Sequence, residues 1–464
     1  MTGSMYAKRR GGSQSEMEEA PNRFIAEAID LTHDALGVVR RDDGFTVFVE
    51  DLLKGESAEI EITKAKKDYG FGIVTQRLSK SPFRVTPKCK HFHECGGCGL
   101  MHMDYDLQLS FKKYRIETTL KRHNLKDATV KNMVGMATPY NYRNKVEIKF
   151  RQGDKGIEAG FFKSQSHNLV NLEECHIIGK RTFETINLLK NIANELKITA
   201  YDEKNNTGYL RSAVIRESHA TKRITLLLNL AKTPLPHQEE LVKKLIAKIP
   251  EISGVATTLA LDESAMATDP IETIFGVQPI TDSISGINYE VGMRSFFQTN
   301  TTQTEKLYQI ALKYADLNNK SRVIDAYSGI GSIALNAAKK ANKVFGIEIV
   351  KAAVQDAKKN ASLNNIRNAF FEVGDAEAVL AKWKKYSFDT VFLDPPRRGC
   401  SKGLIKVLVD MKIPKIVYIS CDQATLCRDL EILEQNGYEV KEITPIDMFP
   451  QTIHVESVSL LTLK

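Results

Sequence analysis

Long apolar runs are missing from this chain of 464 residues, and no stretch approaches the ~20 consecutive apolar residues that a membrane-spanning helix needs. The first residues, MTGSMYAKRRGGSQSEMEE, are polar and rich in glycine and serine, and they lack the apolar core of a secretory signal. We therefore expect no membrane span, a disordered leader over residues 1–21 and a cytoplasmic location. The sequence also lacks internal repeats and low-complexity tracts.

A reducing compartment is indicated by the cysteines, because the chain has seven of them, an odd number, without a secretory signal. Four lie in the first half of the chain and three near its end: Cys89, Cys95, Cys98 and Cys175, then Cys400, Cys421 and Cys427. The net charge of +8 is modest, but residues 111–149 contain ten Lys and Arg against three Asp and Glu. Such a segment indicates either a polyanionic partner or a solvated basic face without a partner.

Hydrophobic periodicity divides the chain into three regions after the leader. Residues 22–80 contain short β-rich segments separated by turns, a spacing that predicts a small barrel. Residues 81–281 mix helical and alternating patterns and indicate a central α+β domain. From residue 282 to 464, strand and helix patterns alternate, which predicts a parallel, doubly wound sheet of Rossmann-like type whose last strands form a hairpin.

A nucleotide site is predicted at the carboxyl edge of this sheet. The first strand leads into DAYSGIGS (residues 325–332), whose glycines let the backbone approach a ligand. Glu348, 23 positions after Asp325, is placed to accept the ribose hydroxyls, and Asp375 to accept an adenine amino group. Ala334 stands where a full GxGxxG would have its third glycine. This favours S-adenosylmethionine over a dinucleotide, because a pyrophosphate needs more glycines.

The fourth and fifth strands end in side chains suited to chemistry. Asp394 is followed by two prolines, which fix the backbone and hold the carboxylate toward the pocket; a turn with a helix cap is the alternative. Cys421 follows the next strand and precedes a helical segment, where a thiolate is stabilised. A free cysteine is more often a small buried residue. We expect Cys427 to be such a packing residue, and we expect Cys400 to be either incidental or peripheral.

A thiolate at this edge can activate a pyrimidine. Uracil C5 is too weak a nucleophile to attack a methylsulfonium unaided, but addition of a thiolate to C6 makes C5 enolate-like. The adduct must afterwards lose its C5 proton to a base. Glu456, at the start of the last strand, is the candidate base, with a solvated surface glutamate as the alternative.

The order and spacing of five segments, SFFQTN, DAYSGIGS, DPPRRG, SCDQATLCRDL and MFPQTIHVES, closely resemble the RNA uridine-C5 methyltransferase family, which forms 5-methyluridine. The resemblance covers nearly all of the chain from residue 22. It implies that Cys421 is the nucleophile and Glu456 the base. The residues that it implies around S-adenosylmethionine are Gln298, Tyr327, Glu348, Asp375 and Asp394.

The first half resembles the same family. Residues 22–80 are similar to its TRAM domain, an oligonucleotide-binding barrel. The spacing Cys89-x5-Cys95-x2-Cys98, with Cys175 distant, is similar to the ligand set of the family's iron-sulfur cluster, for which four thiolates suffice for [4Fe-4S]. A zinc ion needs the same ligands and is the alternative. A radical enzyme is disfavoured because CxxxCxxC is absent.

Within the family, the presence of both the barrel and these cysteines implies 23S ribosomal RNA as the substrate, with transfer RNA as the alternative. The target uridine must be unpaired or flipped out, and we expect a monomeric enzyme. Residues expected to contact RNA are Lys112, Lys113, Arg115, Arg143 and Lys145.

Two other functions compete with this prediction. Cytosine-C5 methylation uses the same thiolate, but those enzymes have a cysteine directly after the proline of the fourth-strand motif, where this chain has Pro396 and Arg397. A non-catalytic RNA-binding or assembly factor on a methyltransferase fold would not need Cys421.

Overall fold

The computed structural model describes residues 22–164, 166–260, 270–277 and 279–464. The leader predicted over residues 1–21 lies outside the described residues. The chain divides into two compact units, with the boundary between Arg84 and Val85. Within the described ranges, no helix has both the length and the apolar character that a membrane crossing requires.

The first unit is a small closed barrel, as predicted. Its strands are β1 (Arg23–Glu27), β2 (Asp30–Leu31), β3 (Gly37–Arg40), β4 (Thr46–Val49), β5 (Ser57–Ala65) and β6 (Tyr69–Arg77). They are ordered β1-β5-β6-β4-β3-β2. The sheet closes because the chain runs from β1 directly into β2, where Ile29 N donates to Val38 O at 2.8 Å. Alternate residues such as Val47 and Val49 point inward and are fully buried.

The second unit begins with the cysteine-rich segment and a long helix, followed by a seven-stranded sheet ordered β10-β9-β8-β11-β12-β13-β14. Its elements are α1 (Tyr105–Arg122), β7 (Thr129–Val130), β8 (Lys145–Gly153), β9 (Gly156–Phe162), β10 (Leu169–Asn171), α2 (Lys180–Glu195), β11 (Leu210–Glu217), β12 (Ile224–Leu230), α3 (Gln238–Lys248), β13 (Ile252–Leu259) and β14 (Ile271–Gly276). Helices α2 and α3 cover one face of this sheet with their apolar sides, including Leu189 and Leu245.

The last part of the chain forms a hairpin and then the predicted alternation of strand and helix. Its elements are β15 (Ile280–Ile284), β16 (Ile287–Val291), α4 (Thr301–Ala315), β17 (Arg322–Asp325), α5 (Ser332–Ala338), β18 (Lys343–Glu348), α6 (Lys351–Leu363), β19 (Ala369–Val373), α7 (Ala376–Trp383), β20 (Thr390–Leu393), α8 (Lys402–Met411), β21 (Lys415–Ser420), α9 (Gln423–Gln435), β22 (Tyr438–Ile446) and β23 (Glu456–Leu463).

These strands form one sheet, the catalytic sheet, in the order β19-β18-β17-β20-β21-β23-β22-β7. Strands β17 to β21 are parallel, while β22 and β23 form the predicted antiparallel hairpin. The short strand β7 pairs with β22 although it comes from the region before residue 281. Parallel strands end at one edge of the sheet, so the residues after β17, β18, β19, β20 and β21 are brought together there.

Candidate active site

Asp394, Cys421 and Glu456 lie at the ends of three adjacent strands. Asp394 follows β20, Cys421 follows β21, and Glu456 begins β23, which runs in the opposite direction. The register pairs Leu393 with Tyr418 and Ser420 with Ser457, so the three side chains are at the same edge of the sheet. The structure therefore brings together the predicted nucleophile, the predicted base and the Asp-Pro-Pro carboxylate.

Burial and neighbouring charges both oppose ionisation in this site. Burial raises the pKa of Cys421 to about 11, and the charges of Glu456 and Asp394 add to this effect. Burial likewise raises the pKa of Glu456 well above its usual value, with a further contribution from Asp394. Glu456 is 5% exposed, and its Oε2 atom has no hydrogen-bond partner. The site thus contains three acidic groups, none of which ionises easily without a nearby cation.

One cation that sequence reasoning did not assign to the site is Arg397, in the segment after Asp394. Its charge lowers the pKa of both Cys421 and Glu456. Burial lowers the pKa of His454 to about 4, and the charge of Arg397 contributes to this decrease. The motif DPPRRG contains this arginine, so the sequence did offer an indication of it.

The glycine-rich turn after β17 is held by acidic side chains. Glu348, at the end of β18, accepts hydrogen bonds from Gly329 N at 3.1 Å and from Val350 N at 2.8 Å. Asp325 accepts from Ala334 N at 2.9 Å, while its other oxygen is buried without a partner. Burial and the charge of Asp394 raise the pKa of Asp325 to about 7. In the sequence, Asp325 is recognisable only as part of the motif DAYSGIGS.

Tyr327 and Asp375 line one cavity of about 410 Å³ beside this turn. Arg398 and Cys400 line the same cavity, so Cys400 is not remote from the site. Asp375 also caps helix α7, since its side chain accepts from Ala378 N at 3.1 Å. A cavity of this size at the carboxyl edge of a parallel sheet suits the nucleoside part of a ligand.

Gln298 lies in the segment that precedes α4, where it is buried. Its carbonyl accepts a hydrogen bond from Asn144 Nδ2 at 3.1 Å. Two residues later, Asn300 Nδ2 donates to Met448 O at 3.0 Å. Gln298 is therefore adjacent to the segment that leads into Glu456, but its side chain has no described contact with Cys421 or Asp394.

The four cysteines of the first half lie near one another. Burial raises the pKa of each thiol, and the charge of at least one other cysteine of the set raises it further. Gly97 N donates to Cys95 Sγ at 3.4 Å. Among the residues that the structure describes, however, no three His, Cys, Asp or Glu side chains are arranged to hold a metal ion.

One predicted RNA contact is wrong. The side chain of Lys112 is completely buried, and its Nζ lies 2.6 Å from Asp447 Oδ1. It cannot reach a phosphate on a bound RNA. The helical position alone did not reveal this, because Asp447 lies 335 residues further along the chain.

Comparison with known proteins identifies the family. The profile described as tRNA (Uracil-5-)-methyltransferase matches residues 277–464, and the TRAM domain profile matches residues 29–75. RNA methyltransferases of Bacillus cereus and Halalkalibacterium halodurans are each 40% identical to the chain, over 95% and 94% of this chain and 97% and 96% of theirs. The Pyrococcus abyssi tRNA (uracil-54, C5)-methyltransferase in complex with S-adenosyl-L-homocysteine has a TM-score of 0.74 at 28% identity, over 95% of this chain and 100% of that chain.

These similarities extend over both compact units. They favour uracil over cytosine as the base that is methylated, and an enzyme over a non-catalytic assembly factor. The chain therefore belongs to the RNA uracil-5-methyltransferase family, and it is an S-adenosylmethionine-dependent enzyme with an N-terminal TRAM domain.

Proposed function

We propose that the protein methylates C5 of a uridine in a structured RNA through a covalent adduct with Cys421. The observation that supports this best is the placement of Cys421, Asp394 and Glu456 on three adjacent strand ends, where the charge of Asp394 raises the pKa of both Cys421 and Glu456. A nucleophile and a buried carboxylate that lie close together can act on the two neighbouring carbons C6 and C5 of one pyrimidine ring.

The reaction needs three steps. The Cys421 thiolate forms a bond to C6, and the electron pair of the C5–C6 double bond moves into the C4 carbonyl as an enolate. C5 then attacks the methyl group of S-adenosylmethionine, and the carbon–sulfur bond breaks to release S-adenosylhomocysteine. Finally the Glu456 carboxylate removes the C5 proton, the C5–C6 double bond re-forms, and the thiolate leaves.

We propose that three groups of residues bind S-adenosylmethionine. Glu348 would accept the ribose hydroxyls, while Tyr327 and Asp375 would contact the adenine in the cavity that they line. Asp394 and Gln298 would contact the methionine end. A sulfonium cation next to Cys421, Asp394 and Glu456 would favour ionisation of all three groups, because burial raises the pKa of each and the charge of Asp394 raises the pKa of the other two further.

The test is incubation with S-adenosylmethionine and an RNA that contains 5-fluorouridine. Fluorine at C5 cannot leave as a proton, so the enzyme should become trapped as a covalent RNA complex that survives a denaturing gel. Cys421→Ala should form none, whereas the control Cys427→Ala, at a buried position in α9, should form it normally. No complex with the wild type, or an equal amount with Cys421→Ala, would contradict the mechanism.

For the substrate, 23S ribosomal RNA is proposed first and transfer RNA second. Transfer RNA is retained because the Pyrococcus abyssi enzyme, whose name specifies a transfer RNA uracil, aligns over 95% of this chain, including both units. The presence of the barrel therefore does not distinguish ribosomal RNA from transfer RNA as the substrate. Methyl incorporation from labelled S-adenosylmethionine into transcripts of each RNA, followed by mapping of 5-methyluridine, distinguishes them.

We also propose that Cys89, Cys95, Cys98 and Cys175 hold a metal centre, a [4Fe-4S] cluster or, alternatively, zinc. The donor chemistry fits, since four neighbouring thiols would ionise readily only with a cation between them. An anaerobic preparation with iron, acid-labile sulfide and a brown colour supports the cluster. Colourless protein with one equivalent of zinc supports the alternative, and protein with neither metal contradicts both.

A further inference from the structure

The segment 447–455, the base loop, joins two neighbouring strands of the catalytic sheet. Strand β22 ends at Ile446 and β23 begins at Glu456, and these two residues are paired in the register. The base loop thus leaves the sheet and returns to it directly in front of Glu456. Gln451 in this loop is 1% exposed with a φ of 70°, a conformation that a non-glycine residue keeps only when its surroundings hold it.

Donors from distant parts of the chain hold the carbonyl oxygens of the base loop. The Gln451 carbonyl accepts from the backbone N–H groups of Gly99 at 3.1 Å and Leu100 at 3.0 Å. Side chains hold four more: Asn300 Nδ2 donates to Met448 O at 3.0 Å, Lys112 Nζ to Phe449 O at 3.1 Å, Tyr142 Oη to Pro450 O at 3.0 Å, and Arg115 Nη1 to Ile453 O at 2.5 Å. Most of these donors belong to the segment 99–142.

Helix α1 provides a continuous row of contacts to the base loop. Tyr105, Gln108, Lys112 and Arg115 are spaced by three, four and three residues, so they share one face of the helix. The Tyr105 hydroxyl donates to Asp447 Oδ2 at 2.8 Å. Gln108 exchanges two hydrogen bonds with the loop residue Gln451, at 3.0 and 3.1 Å. All four polar residues on this face therefore bind the loop.

The ion pair between Lys112 and Asp447 is the centre of this arrangement. Both side chains are 0% exposed, with Nζ and Oδ1 2.6 Å apart. Burying two charges is expensive, and a hydrophobic pair of similar size is often as stable, so such a pair is weak evidence for a role in stability alone. It does impose a geometry, because Lys112 binds Asp447 and the Phe449 carbonyl at the same time.

We propose that Lys112, through Asp447 and the Phe449 carbonyl, is a positioning residue that fixes the base loop and thereby places Glu456 for removal of the C5 proton. This inference rests on the proposed function of Glu456 as the base. Its physical reason is distance: proton transfer needs the carboxylate within hydrogen-bond reach of the C5 proton, and a misplacement of about 1 Å can reduce a rate by about 100-fold.

The experiment uses Lys112→Met combined with Asp447→Asn in the full-length protein. The pair of changes removes both buried charges, so neither is left unpaired, and the asparagine introduced in place of Asp447 retains an acceptor for Tyr105. A loosened base loop should slow proton removal after methyl transfer. On ordinary uridine RNA we therefore expect a methylated covalent complex to accumulate, with kcat reduced about 10- to 100-fold and KM for RNA changed less than about 3-fold.

Two reference variants make the result decisive. Glu456→Gln should accumulate the same complex, and Lys243→Met, an exposed lysine on α3, should behave like the wild type. A simple loss of folded protein would lower the concentration of active sites without producing the complex. If Glu456→Gln accumulates the complex and the double variant does not, the positioning role is wrong. If Glu456→Gln itself accumulates none, the proposed base is wrong and the positioning role falls with it.

Discussion

In the site formed by Asp394, Cys421 and Glu456, the charge of Asp394 opposes the ionisation of the other two groups. Burial dominates the raised pKa values, and the neighbouring charges add to it. Arg397 is the nearby cation that offsets this effect. A site of this kind favours a positively charged ligand, and the methyl donor is a sulfonium. The same burial makes Glu456 a stronger base once it has lost its proton.

Asp394→Asn should stabilise the ligand-free protein at neutral pH. The folded state raises the pKa of Asp394 from 3.8 to about 7, so ionisation opposes folding increasingly between about pH 4 and pH 7. We expect the variant to gain about 1–2 kcal/mol in the free energy of unfolding at pH 8 and nothing below pH 4. Denaturant unfolding at both pH values measures this, and an equal gain at both would show that ionisation is not the cause.

The reactivity of Cys421 should depend on Arg397. With a pKa of about 11, the ligand-free thiol should be alkylated by iodoacetamide at a rate that still rises with pH above 9. Because Arg397 lowers this pKa, Arg397→Gln should slow the alkylation of Cys421 several-fold at pH 8. Peptide mapping by mass spectrometry follows the reaction, with Lys402→Gln as the control. A rate unaffected by Arg397→Gln would place the guanidinium away from the thiol.

At the scale of elements, helix α9 holds the segment that lines the cavity beside Tyr327 and Asp375. Asp429, which is 0% exposed, accepts from Cys400 N at 2.8 Å and from the Tyr418 hydroxyl at 2.7 Å. The neighbouring Arg428 donates to the carbonyl of Arg398 at 3.0 Å. The helix therefore fixes two residues of the cavity wall, although it does not itself line the cavity.

Asp429→Ala should impair binding of S-adenosylmethionine through this helix. The change leaves the buried Cys400 N–H and Tyr418 hydroxyl without their acceptor, which costs about 1–3 kcal/mol for each group. We expect a lower melting temperature and a KM for S-adenosylmethionine about 10-fold higher, with KM for RNA nearly unchanged. Glu434→Ala on the same helix is the control. Equal increases in both KM values would indicate general destabilisation instead.

At the scale of the whole molecule, the two compact units contain different parts of the proposed enzyme. The first contains the TRAM domain, and the second contains every residue proposed for methyl transfer. Burial inside each unit is extensive, with separate cores in the barrel and in the catalytic sheet. RNA affinity and methyl-donor affinity should therefore respond differently to loss of the barrel.

A protein that begins at Val85 should bind S-adenosylmethionine with unchanged affinity and bind substrate RNA at least 10-fold more weakly. The loss should shrink as the salt concentration rises, because backbone contacts by an oligonucleotide-binding barrel are largely electrostatic. Calorimetry and filter binding measure the two affinities. Unchanged RNA affinity at low salt would show that the barrel does not contribute to binding.

Local sequence patterns were sufficient to predict most helices and strands of the catalytic sheet and the residues at its strand ends. The alternation after residue 282 predicted the parallel sheet, because βαβ units place successive strand ends at one edge. The motifs around Asp394, Cys421 and Glu456 therefore indicated a common site from the sequence alone. The barrel strands were predictable for a similar reason, since short alternating segments with turns describe a half-buried sheet.

Only the tertiary structure decided which environment each side chain has. Lys112 and Asp447 are 335 positions apart, and no local pattern shows that a lysine in a basic segment is buried against a carboxylate. The edge strand β7 and the contacts of α1 with the base loop likewise depend on long-range packing. The sequence by itself determined which groups stand at the strand ends, whereas burial and distant partners decided their charges and positions, because desolvation and electrostatic contact arise only when the chain is folded.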